Sequence, residues 1–307
     1  MVPRRLDEFS NSRMGLSLAA GVGRATPPAI GRRVASRTAD LIASRRDSGL
    51  VRAIRSNQWV VSGGAARGAD LDAAVRETLR HIARCTYDLY HSSEGSDGLL
   101  SGVSATDGVR VWLNRIQRGD AAVFAVVHLS NFDLGGRALA RLGLRAQVLS
   151  VPDPTDAYRV QNELRREVGL DMTPISSDAL RAAYRRLEGG GAVLTGIDRP
   201  LPQASRAYEF FGRPALLPDV HVRLATRADV PLVLMWLIME PSGEYVVDCV
   251  EIPLGDGRGV EAYRRGVQAV LGRAAEVIAA HPTQWAMPHP VWPGAVTELE
   301  RLERREG

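Results

Sequence analysis

From Ala121 onward the chain alternates short, apolar, β-rich runs with stretches of helical periodicity, and this alternation limits its possible folds more than any other feature. The runs 121–128, 146–151, 172–176, 192–197, 231–239 and 245–252 read as strands. Between and after them, 132–142, 157–168, 178–188, 218–227 and 260–280 carry apolar residues at helical spacing. Such alternation is the signature of a mainly parallel sheet covered by helices. The last two strands adjoin through Pro241, Ser242 and Gly243, a connection short enough only for an antiparallel hairpin. Upstream, 29–43, 50–58 and 71–90 have helical periodicity, punctuated by Gly63, Gly64 and Gly68. The expected fold class is therefore α/β: a mainly parallel central sheet flanked by helices, with a helical N-terminal extension. The expected organisation is an extension over 1–117 packed on the core, an α/β core over 118–297, and a charged, frayed tail over 298–307.

Composition removes whole classes of chemistry. All 39 basic residues are arginine; the chain contains no lysine. Schiff-base enzymes, lysine-anchored pyridoxal phosphate sites, the P-loop and the kinase lysine all need a primary amine at a fixed position. Arginine suits phosphate, which it binds bidentately while keeping its charge. Cys85 and Cys249 are far apart and form no CxxC pair, which argues against a disulfide scaffold or structural zinc and for a reducing compartment. The six histidines show no H-E-x-x-H spacing, and no G-x-S-x-G marks a serine hydrolase. The net charge of +4 comes from dispersed arginines balanced by acids, without the aromatic and basic alternation of a nucleic-acid binder. The longest apolar run, 230–239, falls short of the roughly 20 residues of a membrane-spanning helix. Segment 14–22 lacks a cleavage site, so it reads as no secretory signal; with Arg24, Arg32 and Arg33 after it, it suits a membrane surface.

The segment 121–136, AAVFAVVHLSNFDLGG, concentrates the candidate chemistry. An apolar strand ends at His128, a polar turn Ser130-Asn131 follows, and Asp133 falls in the first turn of the next helix. A histidine at the carboxyl end of a parallel strand faces the edge where α/β proteins bind ligands. Asp133 is spaced to return to the imidazole, fix its tautomer and leave the other ring nitrogen as a general base toward an alcohol. The same residues also fit a purely structural arrangement, with Ser130 and Asp133 as a capping box and His128 as a hydrogen-bonded strand end. Spacing alone leaves both open.

HLSNFD resembles the H-x4-D motif of the glycerolipid acyltransferase superfamily. Its surroundings are similar to one branch, the bacterial lipid A lauroyl acyltransferases and phosphatidylinositol mannoside acyltransferases. Arg166-Glu167-Val168-Gly169 looks like that family's R-E-x-G, and Ile197-Asp198-Arg199 like its strand-ending D-R or D-Q step. Phe210-Phe211-Gly212-Arg213-Pro214-Ala215 looks like F-F-G-x-x-A. Pro282-Thr283-Gln284-Trp285, with Trp292 beyond, is similar to the closing P-E-Q-W and tryptophan. The resemblance covers roughly residues 52–292 in the family's order.

The resemblance implies transfer of a fatty acyl group from a thioester of coenzyme A or acyl carrier protein to a glycolipid hydroxyl. A phosphatidylinositol-mannoside-like acceptor is expected ahead of lipid A. The thioester would be a co-substrate, with no bound cofactor and no metal. His128 would deprotonate the hydroxyl and Asp133 would orient His128. Arg166, Asp198, Arg199 and Glu209 would contact substrate. The expected partners are the acyl donor, the glycolipid and a membrane surface, with peripheral attachment at the cytoplasmic face of the plasma (inner) membrane and no nucleic acid. The alternatives are a lipid A-type late acyltransferase or a catalytically inactive lipid-binding relative. Two departures stand out: Pro218-Asp219-Val220-His221 puts an acid and a second histidine near the expected acceptor groove, and Pro290-Val291 replaces the usual arginine before Trp292. Gly189-Gly190-Gly191 ends a helix before a strand and reads as a cap and turn rather than a phosphate cradle.

Overall fold

A computed structural model describes residues 26–91, 102–153, 155–201, 206–255 and 259–306. The 14–22 segment lies outside these. A seven-stranded sheet runs in the order β1-β9-β8-β2-β5-β3-β4. Its strands are β1 (Val103–Ala105), β2 (Ala122–Val126), β3 (Ala146–Ser150), β4 (Asp171–Pro174), β5 (Ala192–Gly196), β8 (Leu232–Met239) and β9 (Tyr245–Glu251). Strands β8, β2, β5, β3 and β4 are mutually parallel; β9 is antiparallel to β8 and parallel to β1 at the edge. The fold is thus α/β with a mostly parallel sheet and a helical N-terminal region, and the 241–243 connection is a hairpin.

Apolar residues line both faces of the central strands. Val123, Ala125 and Val127 face one core with Leu232, Leu234 and Trp236, whereas Phe124 faces the other with Val233, Met235 and Leu237. Because successive side chains point to opposite faces, a sheet buried on both sides needs a continuous apolar run, which is how these segments read in sequence. Helices α7 (Ser177–Glu188), α8 (Val220–Ala228) and α9 (Val260–Ala280) cover the first face; α4 (Asp107–Gln117) and α5 (Phe132–Arg141) cover the second. Helix α6 (Asp156–Glu167) links β3 to β4.

Of the N-terminal helices α1 (Pro28–Ala43), α2 (Gly49–Val61) and α3 (Gly68–His91), α2 and α3 pack against the 282–284 segment beside the carboxyl edge of the sheet, and α1 packs on α3. Asn57 of α2 donates to the carbonyls of Met287 and His289 at 3.2 and 2.8 Å and accepts from the Val291 amide; Gln58 donates to the Pro282 carbonyl. The C-terminal residues depart from expectation. Instead of a frayed tail, 298–306 continue α10 (Pro293–Glu306), with Ala295 and Leu299 buried and Glu300 and Glu303 paired to Arg52 and Arg55 of α2. The apolar stripe is short and the charges dominate composition, so the ordering comes from contacts with residues about 250 positions away. A hairpin of β6 (Tyr208–Phe210) and β7 (Arg213–Ala215) adds to the expected strands; at three residues each, its strands are too short to leave an alternating pattern in the sequence. Phe211 and Gly212 form its two-residue turn, both with positive φ.

Candidate active site

The site is built by strand register. Val126 and Gly196 are partners at the carboxyl ends of β2 and β5, so two residues further along each chain His128 and Asp198 stand side by side. Imidazole Nδ1 lies 2.5 Å from Asp198 Oδ1. The other carboxylate oxygen accepts from the His128 amide at 3.0 Å and from Trp285 Nε1 at 2.8 Å. Asp198 is completely buried, whereas the His128 side chain keeps 17% of its exposure. The carboxylate on Nδ1 assigns the proton to that nitrogen and leaves Nε2 as the basic one. Gly196 makes the approach possible, since a Cβ there would sit 2.5 Å from His128 Cε1. Phe132 holds the ring edge-on, with centroids 4.7 Å apart.

Asp133, expected to orient His128, instead faces α6. Its Oδ1 accepts from Arg165 Nε at 2.6 Å and Nη2 at 2.5 Å, and Arg165 Nη1 donates to Asn162. Burial opposes the Arg165 charge, but Asp133 outweighs it and holds the guanidinium above its ordinary pKa. This is a buried ion pair that ties the first turn of α5 to α6. The capping box is also absent: Asn131, not Ser130, caps α5 by accepting from the Leu134 amide. Ser130 adopts a left-handed φ of 49° and its hydroxyl lies 2.9 Å from His81 Nε2 of α3. Burial pulls His81 down to about 4, so the imidazole is neutral near pH 7, and pushes the neighbouring Cys85 thiol up to about 12. A thiol so hard to ionise is no nucleophile.

The closing segment locks the loop after His128. Leu129 pairs with Trp285, the Ser130 amide donates to the Gln284 carbonyl at 2.7 Å, and the Ala286 amide donates to the His128 carbonyl at 3.0 Å. The Gln284 amide group clasps both backbone groups of Met239 at the end of β8. Trp285 and Trp292 pack with Phe210 and Phe211 in one aromatic cluster.

The other expected site residues scatter. Arg199 reaches the cavities around His128 and lies over the Tyr158 ring at 5.6 Å. Arg166 points away: its Nη2 donates to the Met172 carbonyl at 2.9 Å, holding α6 to β4, while its neighbour Arg165 occupies the site. Glu209, expected to contact substrate, sits on the exposed face of β6 between buried Tyr208 and Phe210 and is not among the residues lining the cavities at His128. Of the departures, Asp219 lines a cavity but His221 turns inward, fully buried, and among the described residues neither of its ring nitrogens has a hydrogen-bond partner. Tyr158 escapes the sequence reading, yet lines all three cavities beside His128 between Arg165 and Arg199.

Three cavities converge on His128. An apolar slot runs between α5 and the sheet, lined by Gly136, Leu139, Val148, Leu194, Met235 and Leu237. A second cavity opens toward α8 and a third toward α3 and the 286–289 segment. A basic nitrogen at the junction of an apolar slot and two cavities that carry charged side chains in their walls can activate a hydroxyl next to a bound aliphatic chain. Among the described residues no group of three or more His, Cys, Asp or Glu side chains could hold a metal ion, and no helix is long and apolar enough to cross a membrane.

Phosphatidylinositol mannoside acyltransferases from two strains of Mycobacterium tuberculosis are each 27% identical over 215 residues, which is 68% of this chain and 64% of the relative. The match therefore spans just under two thirds of those relatives' length. The family profile described as bacterial lipid A biosynthesis acyltransferase matches residues 22–293, the sheet and all three cavities included. On that match, the chain belongs to the bacterial lipid A biosynthesis acyltransferase family.

Proposed function

We propose that this protein moves a fatty acyl group from an acyl thioester, of coenzyme A or acyl carrier protein, to a hydroxyl of a glycolipid, with a phosphatidylinositol-mannoside-like acceptor preferred. The observation that carries the reading is the His128–Asp198 pair at the mouth of the apolar slot. Nε2 of His128 takes the proton of the acceptor hydroxyl as its oxygen attacks the thioester carbonyl. The tetrahedral intermediate collapses, the carbon–sulfur bond breaks, and the imidazolium returns its proton to the leaving thiolate. Products are an ester and a free thiol, with no covalent enzyme intermediate. Asp198 holds the tautomer and stabilises the imidazolium, the role first expected of Asp133. The aliphatic tail lies in the slot, where each buried methylene is worth about 0.8 kcal/mol. The acceptor preference follows the similarity to the mycobacterial enzymes.

Peripheral membrane contact at the cytoplasmic face completes the reading. Ile30, Val34 and Leu41 of α1 are each more than half exposed, and their spacing puts them on one helix face with Arg37. An apolar stripe bordered by guanidinium suits an anionic lipid surface.

The test is incubation with a panel of acyl-CoAs, with and without extracted glycolipids, following thiol release and lipid mass. Acceptor-dependent mass shifts equal to the acyl group are expected. Thiol release without an acylated product would indicate a thioesterase. Lipid binding without thiol release would indicate a binding relative.

A further inference from the structure

The other two cavities that meet at His128 differ in charge. The one toward α8 has a volume of about 370 Å³ and is lined by Arg199, Arg206 and Arg223, with Asp219 as the opposing carboxylate. Asp219 already accepts from the Tyr208 hydroxyl at 2.8 Å and lies 3.3 Å from Arg223. Among the described residues neither Arg199 nor Arg206 has a carboxylate partner. The cavity toward α3 shares Arg199, but its other guanidinium, Arg165, is neutralised by Asp133. Its His289 is held below its ordinary pKa by burial and by Arg199 and His128, and so is uncharged near neutral pH. Positive potential is thus concentrated on the α8 side, where the apolar walls Leu149, Ile175, Leu180 and Leu217 focus it.

We propose that the α8-side cavity is a phosphate-binding site, in which Arg199, Arg206 and Arg223 hold a phosphate mono- or diester of a substrate whose reacting group reaches His128. The inference rests on the acyl-transfer reading only for what the phosphate is attached to. Guanidinium forks match phosphate oxygens in pairs, and three forks from separate segments surround an anion in a way that one surface arginine does not. The phosphate belongs either to the donor, whose coenzyme or carrier arm is phosphorylated, or to a phospholipid acceptor. In either case the cavity toward α3, which among the described residues adds no unpaired guanidinium of its own to the shared Arg199, receives the less charged part of the other substrate.

Calorimetric titration of the full chain with inorganic pyrophosphate tests the site without turnover. One saturable, salt-weakened site is expected. Arg206→Gln and Arg223→Gln should each weaken it at least about tenfold, as loss of a charge-assisted hydrogen bond does. The charge-matched control Arg118→Gln, on the exposed end of α4, should leave it unchanged. Adenosine 3′,5′-bisphosphate and inositol 1-phosphate then separate the sources: the probe whose affinity exceeds that of pyrophosphate and falls with Arg206→Gln identifies donor or acceptor. Absence of saturable binding, equal loss in Arg118→Gln, or full binding in the Arg206→Gln/Arg223→Gln double variant would overturn the assignment. Anion binding that survives in a protein without acyl transfer would instead count against the acyltransferase reading alone.

Discussion

His128 and Asp198 are seventy residues apart in sequence and 2.5 Å apart in space, because β2 and β5 are parallel neighbours whose register carries on past their ends. Two other donors, the His128 amide and the Trp285 indole, fix the second carboxylate oxygen. The pair therefore has a defined orientation, and it separates the roles of the two aspartates.

Asp198→Asn should keep the fold and lose the rate. With the amide and indole donors both demanding the oxygen, the new NH₂ group turns to Nδ1 and forces the proton onto Nε2, abolishing the base. A fall in kcat/KM of about 10²- to 10⁴-fold is expected with little change in melting temperature. Asp133→Asn should do the reverse in its main effect, destabilising by about 3 kcal/mol or more because Arg165 is left buried and unpaired. Asp133→Asn/Arg165→Gln should then recover part of that stability. Thermal melts and kinetics on the same preparations check both; a fully active, normally stable Asp198→Asn protein would dismiss the pair.

Gly196→Ala probes the geometry without touching a polar group. The added methyl meets His128 Cε1 and drives the ring off Asp198. Displacements near 1 Å commonly cost about 10²-fold in rate. Activity at the wild-type level, in a protein whose histidine titration by NMR is also unchanged, would show that the ring has room to spare.

Gly136→Leu should act on chain length. Apart from its chain neighbours and its own helix backbone, no atom of the described residues comes within 4 Å of a Cβ built at Gly136, and the residue lines the apolar slot, so a leucine there projects into it. Excluding two methylenes is worth about 1.6 kcal/mol, so preference among acyl-CoAs should shift by about tenfold toward shorter chains. An unchanged length profile would place the chain elsewhere.

Acid should destabilise the fold through two buried histidines. Burial, partly offset by Asp219, pulls His221 down to about 4, and His81 is lowered to about 4 by burial and then by Arg84. Both native values lie below the unfolded value of 6.5, so the unfolded chain binds more protons as pH falls. Stability is complete above pH 6.5 and is lost toward pH 4, on the order of 3 kcal/mol per imidazole. His221→Leu, which removes an imidazole with no hydrogen-bond partner among the described residues, should make the acid limb of melting temperature against pH shallower without lowering the plateau. An acid limb as steep as the parent's would exclude His221 as a contributor.

The core elements and their order were legible in sequence because they depend on local information. The expected 192–197 and 231–239 strands are found as Ala192–Gly196 and Leu232–Met239, and the last long helix is found at Val260–Ala280 as read. Alternation of period and burial on both sheet faces leave that record in consecutive residues. His128 was legible for the same reason, as a histidine ending an apolar run. What tertiary structure alone decided was the partner of each charged side chain. Asp133 and Asp198 are both acids near a strand end, and no local spacing tells which one meets the imidazole; the pairing of β2 with β5 does. Arg165 rather than Arg166 enters the site because the inner face of α6 runs through Tyr158, Asn162 and Arg165, polar residues that leave no hydrophobic periodicity to read. Glu209 faces solvent and α10 is ordered for a related reason, since a three-residue hairpin and a helix rich in charge are held by contacts with distant segments rather than by their own composition. Periodicity is set by neighbours in the chain, whereas charge pairing is set by neighbours in space.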